Sequence, residues 1–118
     1  DGPTHVLAFE DGLLVSDTVR GQVLRVLANG TTEVLVKGLT TPEGLAVHKG
    51  SIYVFEGSTG KIKLITGGST MTVATLSAGS PPATPEQPPS MILNGLVVHD
   101  GFLYAADEMK RAIFRIEI

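Results

Sequence analysis

Apolar and polar residues alternate in short runs along this chain, and the runs come in sets that repeat. Val6-Leu7-Ala8-Phe9, Gly44-Leu45-Ala46-Val47 and Gly95-Leu96-Val97-Val98 each open a set. Each is followed by a glycine-bearing turn: Glu10-Asp11-Gly12, His48-Lys49-Gly50 or His99-Asp100-Gly101. Glycine at such a place supplies the positive φ of a tight hairpin. A second run then ends on an acid in every set, at Asp17, Glu56 and Asp107. The third run is Gln22-Val23-Leu24-Arg25-Val26, Lys61-Ile62-Lys63-Leu64-Ile65 or Ala112-Ile113-Phe114-Arg115-Ile116. Period-two alternation of this kind marks half-buried strands. A fourth run occurs twice, Thr32–Val36 after Asn29-Gly30 and Met71–Leu76 after Gly67-Gly68.

The pattern predicts an all-β chain of antiparallel sheets with four, four and three strands. Val6 to Gly44 is 38 positions and Gly44 to Gly95 is 51. About 40 residues and four short strands per repeat is the signature of a β-propeller. The expectation is therefore a partial β-propeller of about three four-stranded blades, near residues 3–39, 40–79 and 91–118. The excess length of the second interval lies in the proline-rich stretch 80–90, which reads as a surface loop because proline removes backbone donors that a sheet needs.

Composition narrows the function classes. A net charge of −3 with no Lys/Arg cluster gives no footprint for a nucleic-acid partner. No window reaches the roughly 18 apolar residues of a membrane span, so a soluble protein is expected. The chain has no cysteine, which removes disulfides, thiolate nucleophiles and zinc–sulfur sites. Starting at Asp1, it leaves open a secreted or periplasmic location, a processed product or an interior fragment.

Pro42-Glu43-Gly44-Leu45-Ala46-Val47 and Leu93-Asn94-Gly95-Leu96-Val97-Val98, with Leu103-Tyr104-Ala105-Ala106-Asp107 after the latter, resemble the gluconolactonase/regucalcin-like six-bladed propellers. More distantly they are similar to NHL-repeat and strictosidine-synthase-like propellers. The resemblance implies a divalent metal, commonly calcium, held at the ring centre by a Glu of a Glu-Gly opening, an Asn of an Asn-Gly-Leu opening and an Asp of another blade. Glu43 and Asn94 match the first two. The Asp has no counterpart, and Glu43 precedes Gly-Leu where the family usually has Gly-Pro.

Aligned by hydrophobic runs, His5, Glu43 and Asn94 start the innermost strands of successive repeats, where side chains ring a central channel. A carboxylate and an amide oxygen suit a hard cation such as Ca²⁺, although two protein oxygens fall short of the six to eight it takes. His5 is the candidate general base, since imidazole accepts a proton near neutral pH. Asp17, Glu56 and Asp107 are further channel-mouth candidates whose alternative role is to hold the following loop by accepting backbone N–H bonds. His48 and His99 read as solvent-facing.

Two functions follow. One is a share in a metal-dependent hydrolase that opens a small lactone or ester; the other is an NHL-like binding module that performs no chemistry. In either, the terminal repeats present open apolar faces, so the expected partner is a second copy of the chain or the remaining blades of a longer propeller.

Overall fold

The computed structural model describes residues 2–76, 95–107 and 112–118. They form eleven strands in three antiparallel sheets, with no helix among the described residues. Sheet one is β1 (Pro3–Phe9), β2 (Gly12–Asp17), β3 (Gln22–Val26) and β4 (Thr32–Val36), hydrogen-bonded in that order. Sheet two repeats the meander with β5 (Pro42–His48), β6 (Ser51–Glu56), β7 (Lys61–Thr66) and β8 (Ser69–Thr75). Sheet three contains β9 (Gly95–His99), β10 (Phe102–Asp107) and β11 (Ala112–Glu117), in the order β9-β10-β11. The stretch 80–90 lies outside the described residues.

Hairpin chemistry sets the registers. Between β5 and β6 the two-residue loop Lys49-Gly50 has φ of 49° and 81°, and between β9 and β10 Asp100-Gly101 has 49° and 79°. Two positive φ values are what a type I′ turn needs, and its twist matches that of the flanking strands. The first hairpin differs from the expectation: its positive φ, 53°, falls on Glu10, and Gly12 is already in β2. Gly12 is constrained by crowding instead, because a Cβ there would run into the Val26 carbonyl oxygen.

The pairings also fix the repeat. Val6 faces Val15 and Leu45 faces Val54; Ser16 faces Val23 and Phe55 faces Ile62. Sheets one and two are thus offset by 39 residues rather than 38, and Pro3 is the counterpart of Pro42. Each inner strand is irregular just after that proline, at Pro3/His5 and at Pro42/Leu45. Such a bulge adds a residue on one strand, so side-chain order and hydrophobic order fall out of step there.

The three inner strands lie side by side, β5 between β1 and β9. Because strand side chains alternate between faces, sheet two buries both. One face, with Leu45 and Val54, joins Leu14, Val23, Val36 and Leu39, with Leu7, Phe9, Ile52 and Ile65 at the margin. The other, with Ala46, Tyr53, Phe55 and Ile62, joins Leu96, Leu103 and Ala105, with Val98 and Ile116 at the margin. Two slabs of core, one on each face of sheet two, therefore hold three sheets, and their cohesion comes mainly from apolar area removed from water.

Candidate functional site

The bulges leave inner-strand carbonyls outside the ladder of their own sheet, and sheet one supplies two hydroxyls to them. Ser16 Oγ donates to the Glu43 carbonyl at 2.6 Å and Thr18 Oγ1 to the Pro42 carbonyl at 2.7 Å, both in buried surroundings. Buried polar atoms need such partners. These bonds pin the start of β5 against β2. Neither residue stands out in sequence, but a signal exists: Ser16 occupies the place of Phe55 and Ala106 and breaks an apolar repeat.

Glu43 is carried at this pinned start and is 3% exposed. Its carboxylate lies over Gly57, the first residue after β6, so closely that a Cβ on Gly57 would meet Oε2 at 2.6 Å and Oε1 at 2.7 Å. The Gly57 N–H meanwhile donates to the Thr41 carbonyl at 3.0 Å. Glycine at this place makes room for an acid drawn in against the β6–β7 loop.

The recurring acids at the ends of the second strands brace loops. Asp17 Oδ1 accepts from the Arg20 N–H at 3.0 Å and the Gly2 N–H at 3.1 Å. The Arg20 bond is the largest influence holding its carboxyl below the usual range; burial pushes the other way, and the Gly2 bond and the Arg20 charge add to the lowering. Glu56, 1% exposed, accepts from the Thr40 N–H at 2.7 Å and the Thr59 hydroxyl at 3.0 Å. Lys63 Nζ stands 3.1 Å from Glu56 Oε1. A similar bracket is therefore built twice, on acids 39 residues apart but with different donors, each joining the approach to the inner strand, the end of the second strand and the loop beyond it. Backbone bonds repeat with it: Gly21 N–H to Asp17 O and Gly60 N–H to Glu56 O, each 2.9 Å. Asp107 closes β10 opposite Ala112, in the corresponding place.

His5 has a different environment from Glu43. The 39-residue offset makes Thr4, not His5, the counterpart of Glu43, which corrects the alignment by hydrophobic runs; His5 pairs with Ser16 and corresponds to Gly44. The half-buried His5 lines a cavity of about 480 Å³ with Gly95, Leu96, Val97, Tyr104, Ala106 and Ile113. Glu43, Asp17 and Glu56 are not in its wall. Toward the hairpin ends of the inner strands a second space of about 270 Å³ is bounded by Leu7, Ala8, Leu45, Ala46, Val47, Leu96, Val97 and Val98. The inner strands thus line the smaller space with apolar side chains, whereas the larger one lies between His5 and the outer face of blade three, whose Tyr104, Ala106 and Ile113 belong to β10 and β11. His48 is half-buried, and the exposed His99 stands 3.3 Å from Asp100. Asn94 lies outside the described residues.

Solved structures place this architecture. A catalytically inactive virginiamycin B lyase from Staphylococcus aureus, solved with quinupristin, matches with a TM-score of 0.68 at 14% identity, over 98% of this chain and 41% of that one. A streptogramin B lyase structure matches at 0.65 and 12% identity, over 98% and 40%. A protein of unknown function from Bacteroides thetaiotaomicron gives 0.65 and 18%, over 88% and 32%. The chain is a partial β-propeller. It spans about two fifths of the length of the two lyases. Its sheets are three blades, with β1, β5 and β9 innermost. No protein-family profile matches the sequence, and no curated protein is similar to it in sequence. No helix among the described residues is long and apolar enough to cross a membrane.

Proposed function

We propose that this chain supplies part of the channel of a β-propeller hydrolase acting on a small lactone or ester, in the manner of the gluconolactonase-like propellers its motifs resemble. The observation that carries the reading is Glu43, a carboxylate buried at the start of the central inner strand, its carbonyl held by a cross-blade bond from Ser16 and its side chain accommodated by a glycine opposite. Burying a carboxylate has a cost, and the fold meets that cost at the start of an inner strand. In this reading the channel wall takes up the apolar part of the substrate. Glu43 orients its polar end, and His5 removes a proton from the attacking water as it adds to the acyl carbon.

Calcium takes six to eight oxygen ligands. Among the described residues no group of three or more His, Cys, Asp or Glu side chains is placed to hold a metal. Asp17 and Glu56 are engaged with backbone amides and Lys63. The described residues by themselves do not fit the ion, and no step is routed through it. Asn94 and further blades are the remaining donors that the resemblance implies.

A non-catalytic binding module is the second reading, favoured by the loop-bracing role of Asp17 and Glu56 and by the absence of Glu43 from the wall of the cavity that His5 lines. One experiment divides the two. Hydrolysis of a panel of small lactones and aryl esters is followed by proton release, with and without added Ca²⁺, for the parent, His5→Gln and Glu43→Gln. The hydrolase reading expects turnover that His5→Gln lowers by about 100-fold or more, and a melting temperature that Ca²⁺ raises in the parent but not in Glu43→Gln. Absence of turnover across the panel overturns it in favour of the binding module.

A further inference from the structure

The residues leading into β5 are each held by a bond from elsewhere in the chain. The Thr40 N–H donates to Glu56 Oε2 at 2.7 Å, and the Thr41 carbonyl accepts from the Gly57 N–H at 3.0 Å. The Pro42 and Glu43 carbonyls accept the Thr18 and Ser16 hydroxyls of blade one. Thr41 is held by its side chain as well: Oγ1 accepts from the Ser58 N–H at 2.8 Å and lies 2.6 Å from Ser58 Oγ.

The backbone gives the reason. Among the described residues, the non-glycine positions of positive φ are Glu10, Thr41, Lys49 and Asp100. Glu10, Lys49 and Asp100 lie in hairpin turns. Thr41, with φ of 44°, instead leads into a strand, is β-branched and precedes a proline. A branched Cβ crowds its own backbone in the left-handed region, and a residue before proline favours extended backbone. So costly a conformation persists only where the surroundings over-determine it. Here Gly57 and Ser58, at the start of the β6–β7 loop, do so.

The consequence appears two residues on. Pro42 faces Glu56 and Leu45 faces Val54, so Glu43 and Gly44 together stand opposite Phe55. A bulge of this kind re-aims a side chain. The turn at Thr41 sets the direction in which the chain enters the bulge, and the Glu43 carboxylate comes to lie over Gly57. Gly57 is the common part, because its N–H holds Thr41 and its bare Cα receives Glu43. We propose that Thr41 is the positioning residue of Glu43, its left-handed backbone, locked by Gly57 and Ser58, fixing where that carboxylate stands. The inference rests on the reading in which Glu43 orients substrate, and it names what aims the carboxylate.

Thr41→Ser, Thr41→Val, Thr41→Ala and Thr41→Gly separate the backbone conformation from the hydroxyl. Nuclear magnetic resonance reads two things in each variant: amide exchange at Gly57, and the through-space contact between the Glu43 Cγ protons and the Gly57 Cα protons. Thr41→Ser keeps both side-chain bonds and should keep the contact. Thr41→Val keeps the branch but loses the bonds, so the backbone relaxes toward extended; Gly57 exchange should rise by on the order of 10-fold and the contact should disappear. Thr41→Gly lacks the hydroxyl but adopts the positive φ freely, and it should retain the contact. Circular dichroism shows which variants fold, and Thr41→Ala, unbranched and less strained, decides the matter if Thr41→Val does not. A merely structural Thr41 would lower stability without moving the Glu43 signal. Survival of the contact in Thr41→Val and Thr41→Ala, or its loss in Thr41→Ser or Thr41→Gly, would overturn the inference. Lactone and ester turnover tests the underlying reading separately: a lost contact with unchanged turnover in Thr41→Val removes Glu43 from the chemistry and leaves Thr41 as what positions it.

Discussion

Blade two and blade three carry apolar side chains in the same places, and they meet opposite surroundings. Tyr53 and Ile62 of blade two are buried in the slab facing blade three, while their counterparts Tyr104 and Ile113 line an open cavity. Local sequence sets which face of a strand is apolar. Only a neighbour decides whether that face stabilises anything, because burial is a property of two surfaces. The end blades hold in reserve apolar area that the middle blade has already put to use.

The largest expected effect breaks that equivalence directly. Ile62→Ala should destabilise the fold by about 2–5 kcal/mol through the lost methylenes and the cavity left behind. Ile113→Ala, at the matching place, should stay within about 0.5 kcal/mol when the chain is alone. Urea unfolding of both variants over a range of protein concentrations checks this. Equal costs at high dilution would show that the two blades are not distinguished by burial.

A second expected effect separates close approach from conformational freedom. Gly57→Ala puts a Cβ into the Glu43 carboxylate and should cost about 1–3 kcal/mol. Combining it with Glu43→Ala should recover much of that loss, since the obstruction is then gone. Gly12→Ala should have no such rescue, because the atom it meets is the Val26 carbonyl oxygen, which belongs to the backbone. A thermal-melt double-mutant cycle reads the coupling.

The smallest expected effect compares the two loop brackets. Glu56→Gln retains an acceptor but removes the charge beside Lys63, and Asp17→Asn leaves the Arg20 and Gly2 amides a neutral acceptor. Each should cost about 1–2 kcal/mol at neutral pH. Asp17 adds a pH signature. Its folded carboxyl lies below the ordinary value, so its stabilising contribution is complete above the unfolded value of about 3.9 and is lost as pH falls through the lower folded one. Stability measured between pH 5 and pH 2 should therefore fall less steeply in Asp17→Asn than in the parent. An unchanged slope would mean that the Arg20 bond does not set the titration.

Much of the architecture was legible along the chain. Period-two alternation marks the strands, β3 and β4 running from Gln22 to Val26 and from Thr32 to Val36 as expected. The acids at Asp17, Glu56 and Asp107 end their strands as their repetition suggested. The local fit failed where the chain bulges. An extra residue after Pro3 and Pro42 leaves the hydrophobic runs alignable in two ways, and the choice that set His5 beside Glu43 was off by one. Only cross-strand pairing distinguishes 38 from 39, and pairing is a non-local property.

The sequence by itself determined the strands, the type I′ turns at Lys49-Gly50 and Asp100-Gly101, the two faces of every blade and the repeat that makes them stack. Those features rest on neighbouring φ/ψ preferences and side-chain alternation, which are complete within a few residues. Tertiary structure decided the rest. It sent the Asp17 and Glu56 carboxylates to loop amides and set Glu43 over Gly57. It gave the Ser16 hydroxyl to a carbonyl 27 residues away and left Val6, Val97 and Ile113 in the open. Each depends on which surface arrives opposite, and a strand carries no local record of the blade it will face.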